Sequence, residues 1–388
     1  MNETWWVNES DLDDDQKRVI ALGPDGRHLI TGPPGSGKTN MLILRANYLS
    51  ASGRPNLLIL VFTRTLREFL VSGASRYSFP RDKVQTYNSW ARRLLGEHGV
   101  DIPESENFDK ERENLLNGLN QLINEESIND QYYDAILLDE AHDYLLEEIQ
   151  VIKRFSRNLF SVADLRQQIY RRDSKGVEFL KSISKTIELR YHYRNGVKIC
   201  QLADDIMKGK DLYSQLEPTC HYDEALRPSS VKQFRFSKID EQCKTVVEEL
   251  ETQVTAYPGE LLGVICPRHK ELEPIKANLL NSSVGDLCIF QDSASGYLPF
   301  DSEHPICVST VHGAKGLEFR ALHILACETF HGFPKNNRNL TFTGVTRAKT
   351  SLSLYYSGNL YGYLESAFAA LFPRPDRPEL SEAFEPRH

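Results

Sequence analysis

The chain has no long hydrophobic run. No uninterrupted aliphatic and aromatic stretch exceeds the length of Leu57 to Phe62, far short of the ~20 apolar residues that a membrane span requires. Trp5, Trp6 and Val7 stand among acidic residues, unlike the apolar core of a secretory signal. These absences predict a soluble, cytoplasmic protein with no membrane partner. Cysteine is missing before position 200: all seven cysteines fall between Cys200 and Cys327, with no CxxC pair and no Cys/His cluster at zinc-ligand spacing. Reduced, buried thiols are therefore expected. An excess of positive charge is missing too. Lys and Arg number 46 against 54 Asp and Glu, a net charge of −8, which argues against non-specific coating of nucleic acid or anionic membrane.

What is present is ordinary globular composition. At 388 residues, 40% hydrophobic and 26% charged, the chain is neither disordered nor fibrous and has the length of two or three domains. Short β-branched apolar runs alternate with amphipathic stretches such as Thr39 to Leu49, the pattern of parallel strands joined through helices. One series holds His28 to Thr31, Leu57 to Phe62, Ala135 to Leu138, Leu159 to Ala163 and Thr186 to Leu189. A second holds Val231 to Phe236, Leu261 to Cys266, Leu287 to Phe290, Ile306 to Thr310, Ala321 to Cys327 and Ser351 to Tyr356. The expected division is a first domain over 1–192, with a small helical insertion near 100–133, and a second over 193–372. The Pro-rich tail 373–388 is expected to be disordered.

The most informative short segment is Gly32-Pro-Pro-Gly35-Ser36-Gly37-Lys38-Thr39. It follows a predicted strand and opens a predicted helix, the context of a phosphate-binding loop. Glycines let the backbone wrap an anion with N–H groups inward, and the helix presents its positive end. Lys38 supplies a point charge to the outer phosphates, and Thr39 an oxygen to Mg²⁺. The strand Ile136 to Leu138 delivers Asp139 and Glu140 at its C-terminal end, where open α/β sheets bind ligands. Asp139 suits the metal and Glu140 suits orienting and deprotonating a water. Asp11 and Asp13 to Asp15 read as N-terminal helix capping beside Gln16.

Asp139-Glu-Ala-His-Asp143 resembles the second motif of superfamily 1 helicases of the UvrD/Rep type, and further matches follow in the family's order. Leu12-Asp-Asp-Asp-Gln16 resembles the adenine-reading glutamine segment. Val61-Phe-Thr63-Arg64-Thr65 and Gln85-Thr86-Tyr87-Asn-Ser-Trp90 resemble two segments that touch single-stranded DNA. Val162-Ala-Asp164-Leu-Arg-Gln167-Gln-Ile-Tyr170 looks like the motif whose glutamine senses the γ-phosphate. Tyr191-His-Tyr193-Arg194-Asn resembles the segment whose tyrosine stacks on adenine and whose arginine reaches the γ-phosphate. Val308-Ser-Thr310-Val-His312-Gly-Ala-Lys-Gly316-Leu-Glu318-Phe319 and Gly344-Val-Thr-Arg347-Ala348 complete the set.

The resemblance implies an α/β fold of two tandem RecA-like domains, a P-loop NTPase with ATP and Mg²⁺ between the halves. Lys38, Glu140, Gln167, Arg194 and Arg347 would carry hydrolysis, with Thr39 and Asp139 on the metal. Gln16, Tyr193, Gly316 and Glu318 would contact the nucleotide. Thr63, Arg64, Thr86, Tyr87, Trp90, Tyr170, Arg172, Thr310 and His312 would contact the strand. The activity implied is an ATP-dependent single-stranded DNA translocase or helicase of 3′ to 5′ polarity, with RNA left open.

The chain also departs from the pattern. Ile169-Tyr170 is followed by Arg171-Arg172-Asp173, where the family commonly carries an aromatic; an arginine plane can stack on a base and also meet phosphate. Only 116 positions separate Arg194 from Thr310 (310 − 194), which leaves no room for the large accessory domain that relatives insert there. A stripped motor core follows, and with it a second reading: a nucleic-acid-gated ATPase subunit that controls a partner such as a nuclease in prokaryotic antiphage defence. A small-molecule phosphotransferase would fit the phosphate loop but leave the second half and Arg347 without a role. Charge is segregated along the chain: residues 152–200 carry twelve Lys and Arg against four acids, and 104–150 carry two against fourteen. That segregation reads as a strand-binding face beside an acidic flank, or as two solvated helix faces.

Overall fold

The computed structural model describes residues 9–73, 77–103, 107–125, 129, 131–164, 175–210, 213–293, 295–332, 337–360 and 362–372. Gln167, Tyr170, Arg172 and the tail 373–388 lie outside the described residues. Strands β1 (Arg27–Thr31), β2 (Leu57–Val61), β3 (Val84–Thr86), β4 (Ala135–Leu138), β5 (Leu159–Ala163) and β6 (Lys185–Glu188) form one sheet in the order β3-β2-β4-β5-β1-β6. A second sheet holds β7 (Ser230–Phe236), β8 (Leu262–Cys266), β9 (Cys288–Gln291), β10 (Ile306–Thr310), β11 (Phe319–Ile324) and β12 (Ala348–Ser357), in the order β7-β12-β11-β8-β10-β9. Every strand pairing within both sheets is parallel. With helices on the faces, central strands such as β2 and β8 are buried along their whole length. That burial is why they read as continuous apolar runs rather than alternating ones. Two parallel α/β sheets flanked by helices are the architecture of two tandem RecA-like domains.

Two strand expectations are corrected. β3 was not anticipated, because its three residues Val-Gln-Thr are too short to show a period. β11 stops at Ile324 rather than Cys327 because Ala326 adopts φ 53° and Cys327 opens a 3₁₀ turn.

Helix Lys38–Ala51 follows the glycine loop and buries Met41, Leu42, Ala46 and Leu49, one face at helical spacing. The insertion contributes helix Phe108–Asn124, whose Leu115, Leu119 and Leu122 join Trp90, Leu94 and Phe155 in a single apolar cluster. It is thus part of the first half's core. Trp90 is fully buried there, its indole N–H donating to Tyr133 Oη at 3.0 Å and its ring edge-on to Phe155. In this structure Trp90 is thus a core residue, its ring turned away from the surface a strand would occupy. Trp90→Ala should cost about 3–5 kcal/mol of folding stability, measured by denaturant unfolding. Trp90→Phe should leave any nucleic-acid stimulation of turnover unchanged.

The chain passes between the halves over Tyr193 to Gly196. Tyr193 N donates to Gly35 O (3.1 Å), within the first half. Two residues later, Asn195 Nδ2 reaches Thr346 O and Ala348 O at 2.9 and 2.6 Å, and Gly196 N reaches Lys349 O at 2.8 Å. Arg194 sits at the crossing itself. The halves also meet through apolar contacts: Phe69 packs edge-on against Phe300 (5.5 Å), and Gly316 lies against Leu66. With φ at 88°, Gly316 takes a conformation L-residues resist, and a Cβ there would fall 2.6 Å from Leu66 Cδ2. Among the described residues, no helix is long and apolar enough to cross a membrane.

One buried histidine has a pH consequence. His323 on β11 lies between Tyr355 Oη (2.9 Å) and Gln253 Oε1 (2.8 Å), and burial, then the Lys232 charge, pull it down to about 3. The unfolded chain takes up this proton near pH 6.5 while the folded one resists it. The contribution is therefore complete above pH 6.5 and is lost as pH falls from there toward 3, by up to about 1.4 kcal/mol per pH unit. The stability gap between wild type and His323→Gln should narrow over that window, as measured by urea unfolding.

Candidate functional site

The loop after β1 is shaped by its glycines. Gly37, at φ 82°, sits so close to the Gln16 amide that a Cβ would be 2.9 Å from Nε2. Gln16 donates from Nε2 to Ser36 O at 3.0 Å and closes a capping box with Asp13, the N-cap of helix Asp14–Ile20. The acidic run is thus helix capping, as its sequence suggests, with Asp15 also paired to Arg190. Lys38 Nζ folds back onto Gly32 O (2.9 Å) and Pro33 O (2.7 Å), with Asp164 at 3.7 Å. Burial pulls its ammonium below the usual range, against the pull of Asp164 and Glu140.

At the end of β4, Thr39 Oγ1 lies 3.2 Å from Asp139 Oδ1, two hard oxygen donors side by side. Glu140 adopts φ 48°, a strained conformation for a non-glycine residue that aims its carboxylate into the cleft. Burial and then the Glu140 charge push Asp139 up. Burial opposes ionisation of Glu140 as well, but the Lys315 ammonium, with Arg347 and Lys38 behind it, holds Glu140 well below the usual carboxylate range. Asp164 N–H donates to His142 Nδ1 at 3.0 Å. Burial keeps His142 neutral, so its proton is on Nε2, facing Glu140 Oε2 at 3.3 Å.

The second half closes this cleft. Arg194 forms an ion pair with Glu318 and approaches Thr346 O (3.4 Å), and Lys349 backs Glu318 at 3.6 Å. Arg347 is buried, holds Thr343 O through Nε at 3.1 Å, and is pulled down to about 10 by burial and then by the Arg194 charge. Lys38, Thr39, Asp139, Glu140, Arg194, Glu318, Gly316 and Arg347 all line one cavity of about 30 Å³ between the halves.

A larger space of about 430 Å³ also opens between the halves. Thr63, Arg64, Thr86 and Tyr87 line it from one side, Thr310 and His312 from the other. Several of these side chains already have structural work. Thr63 caps Leu66 N and donates to Lys315 O (3.1 Å each), while Thr86 caps Ser89 N and Thr310 accepts from Gly313 N. Burial, then Lys315 and His269, push His312 down to about 4, so it offers a neutral ring to this space.

Some residues here were not anticipated. Lys315 forms a buried ion pair with Asp143 across the interface, with Glu140 Oε2 at 4.0 Å and the Phe62 ring at 5.5 Å. It stands inside the motif running from Val308 to Phe319, so its position was the available signal. Tyr297, at φ 54°, lines the larger space and lies under the Arg64 guanidinium (5.6 Å). Arg112, paired with Glu148, sits over the rings of Phe62, Tyr87 and Tyr144. Neither carried a sequence signal, since each reaches the site only through folding.

Among solved structures, the C-terminal domain of a possible DNA helicase from Lactobacillus plantarum WCFS1 is similar over 46% of this chain and 96% of that one, at 18% identity and a TM-score of 0.35. Curated protein sequences give no significant match. Residues 305–355 match the family described as the UvrD-like helicase C-terminal domain. That matched segment contains Thr310, His312, Lys315, Glu318 and Arg347, so part of the second half's surface toward the first lies in the segment similar to that family.

Proposed function

We propose that the chain hydrolyses ATP in the cleft between its halves and uses the cycle to move along single-stranded DNA, 3′ to 5′ by resemblance to its family. The observation that carries this reading is the convergence of Lys38, Thr39, Asp139 and Glu140 from the first half with Arg194, Glu318 and Arg347 on one cavity. The loop's backbone and Lys38 bind the triphosphate. Thr39 and Asp139 offer the oxygen pair that fits Mg²⁺, which when bound would neutralise phosphate charge. Glu140, ionised and fixed by Lys315 and His142, orients the attacking water and accepts its proton. Arg194 and Arg347 meet the charge that builds on the transferred phosphoryl group. Because Arg194 is held by Glu318 at the crossing segment, its exchange from carboxylate to phosphate couples hydrolysis to domain movement. A strand would lie in the larger space, where the halves can alternate their grip.

The testing experiment is ATP turnover with no nucleic acid, single-stranded DNA, single-stranded RNA and duplex, with Lys38→Ala as control. Stimulation by single strands supports the reading; turnover indifferent to every nucleic acid sinks it. The short span from Arg194 to Thr310 favours a second reading, a nucleic-acid-gated ATPase that licenses a partner such as a nuclease. Robust duplex unwinding by the isolated chain would exclude that alternative.

A further inference from the structure

The sequence shows no Cys/His cluster, yet folding assembles one. His192 at the crossing segment, Cys200 in helix Val197–Met207 and Cys220 after the turn Glu217–Thr219 bring their donor atoms within 4.8 Å of one another. We propose that His192, Cys200 and Cys220, closed by the carbonyl of Asn195, form a tetrahedral zinc site that anchors the segment joining the two halves.

The distances are those of a metal's coordination shell. Bonds of ~2.3 Å to sulfur and ~2.0 Å to nitrogen or oxygen give a tetrahedron with edges of roughly 3.3–3.8 Å. Cys200 Sγ lies 3.9 Å from His192 Nε2 and 3.5 Å from Asn195 O, and Cys220 Sγ lies 3.3 Å from Asn195 O. Two thiols and an imidazole select a soft or borderline cation such as zinc over the hard Mg²⁺ of the cleft. Without metal, both thiols donate to Asn195 O, and His192 Nε2 meets Leu216 O at 3.0 Å. Binding releases the two thiol protons, shifts the imidazole proton from Nε2 to Nδ1 and turns Nε2 from Leu216 to the metal, so affinity rises with pH. His192 and Cys200 are buried and Cys220 partly so, which gives the site a structural rather than a catalytic character. Among the described residues the other such grouping, Glu140, His142 and Asp143, belongs to the cleft and already holds Lys315.

The consequence falls on the residues between the ligands. His192 N donates to Thr219 O (3.0 Å), His221 N to His192 O (2.8 Å), and Tyr193 N to Gly35 O (3.1 Å). His221 then packs edge-on against the Tyr193 ring at 5.8 Å. A metal here fixes the two residues, Tyr193 and Arg194, that stand at the cleft's edge.

The full chain, purified under reducing conditions, is assayed for zinc by elemental analysis, and after chelation is titrated with cobalt(II). The expected result is about one zinc per chain and a cobalt spectrum with thiolate charge-transfer and tetrahedral d–d bands. Both should be lost in Cys200→Ser and Cys220→Ser and kept in Cys243→Ala and Cys288→Ala. Zinc should raise the melting temperature of wild type but not of Cys220→Ser, which separates metal loss from misfolding. Zinc-free protein with an octahedral cobalt spectrum overturns the proposal. So does unchanged zinc in Cys220→Ser, or recovery of Cys200 and Cys220 as a disulfide without metal.

Discussion

Replacing Arg347 with alanine is expected to lower nucleic-acid-stimulated ATP turnover by about 10³-fold or more, the usual worth of an arginine that meets the transferred phosphoryl group, while changing nucleotide affinity far less. The expectation rests on position. Arg347 arises at the end of helix Asn337–Val345 in the second half, is held by Thr343 O, and lines the same cavity as Lys38 and Glu140 of the first. Its buried guanidinium is already at about 10, raised in energy by burial and by its like-charged neighbour Arg194. Such a group gains most when negative charge appears in front of it. A differential effect follows: kcat falls, and nucleotide binding by fluorescence titration is largely retained. Arg347→Lys keeps the charge but not the planar fork, and should recover only a small part of the loss. If Arg347→Ala turned over within about tenfold of wild type, its role across the cleft would be abandoned.

The second large effect is expected at Lys315. Its ammonium is buried against Asp143, beside Glu140 and over the Phe62 ring, all on the opposing half. Removing one partner of a buried pair strands the other's charge, a cost of about 3–5 kcal/mol. For Lys315→Met that cost falls on the contact between the halves rather than on either core. Calorimetry should then resolve two separated unfolding transitions where wild type shows one, and turnover should fall with them. A single unaltered transition would show that the halves are held together chiefly by apolar contacts such as Phe69 with Phe300.

The parts of the site that are contiguous in the chain could be read directly. A glycine loop between a strand and a helix points to an anion cradle from the sequence alone because its geometry is local: Gly37, Lys38 and Thr39 are consecutive. Asp139 and Glu140 were legible for the same reason, following an apolar strand whose end must lie at the sheet's C-terminal edge. The strand-contact set was less legible. Trp90 has the residue type of a base-stacker, but its place on helix Tyr87–Glu97 turns it toward Tyr133 and Phe155, and only packing could tell. The basic block over 152–200 does not translate into one uniform face either, since Arg190 is paired with Asp15 and Arg194 with Glu318.

The sequence by itself determined the two α/β halves, the glycine loop between the first strand and its helix, and the acidic pair at the end of a buried strand. Strand period, glycine placement and capping are all short-range consequences of backbone geometry. Tertiary structure alone decided which distant side chains meet. Lys315 meets Asp143, Arg64 covers Tyr297, and His192 joins Cys200 and Cys220. Cysteines that in the chain stand apart with no metal spacing become neighbours because a helix and a turn pack on the segment that crosses between the halves. Distance in space, unlike distance in sequence, is set by the whole fold.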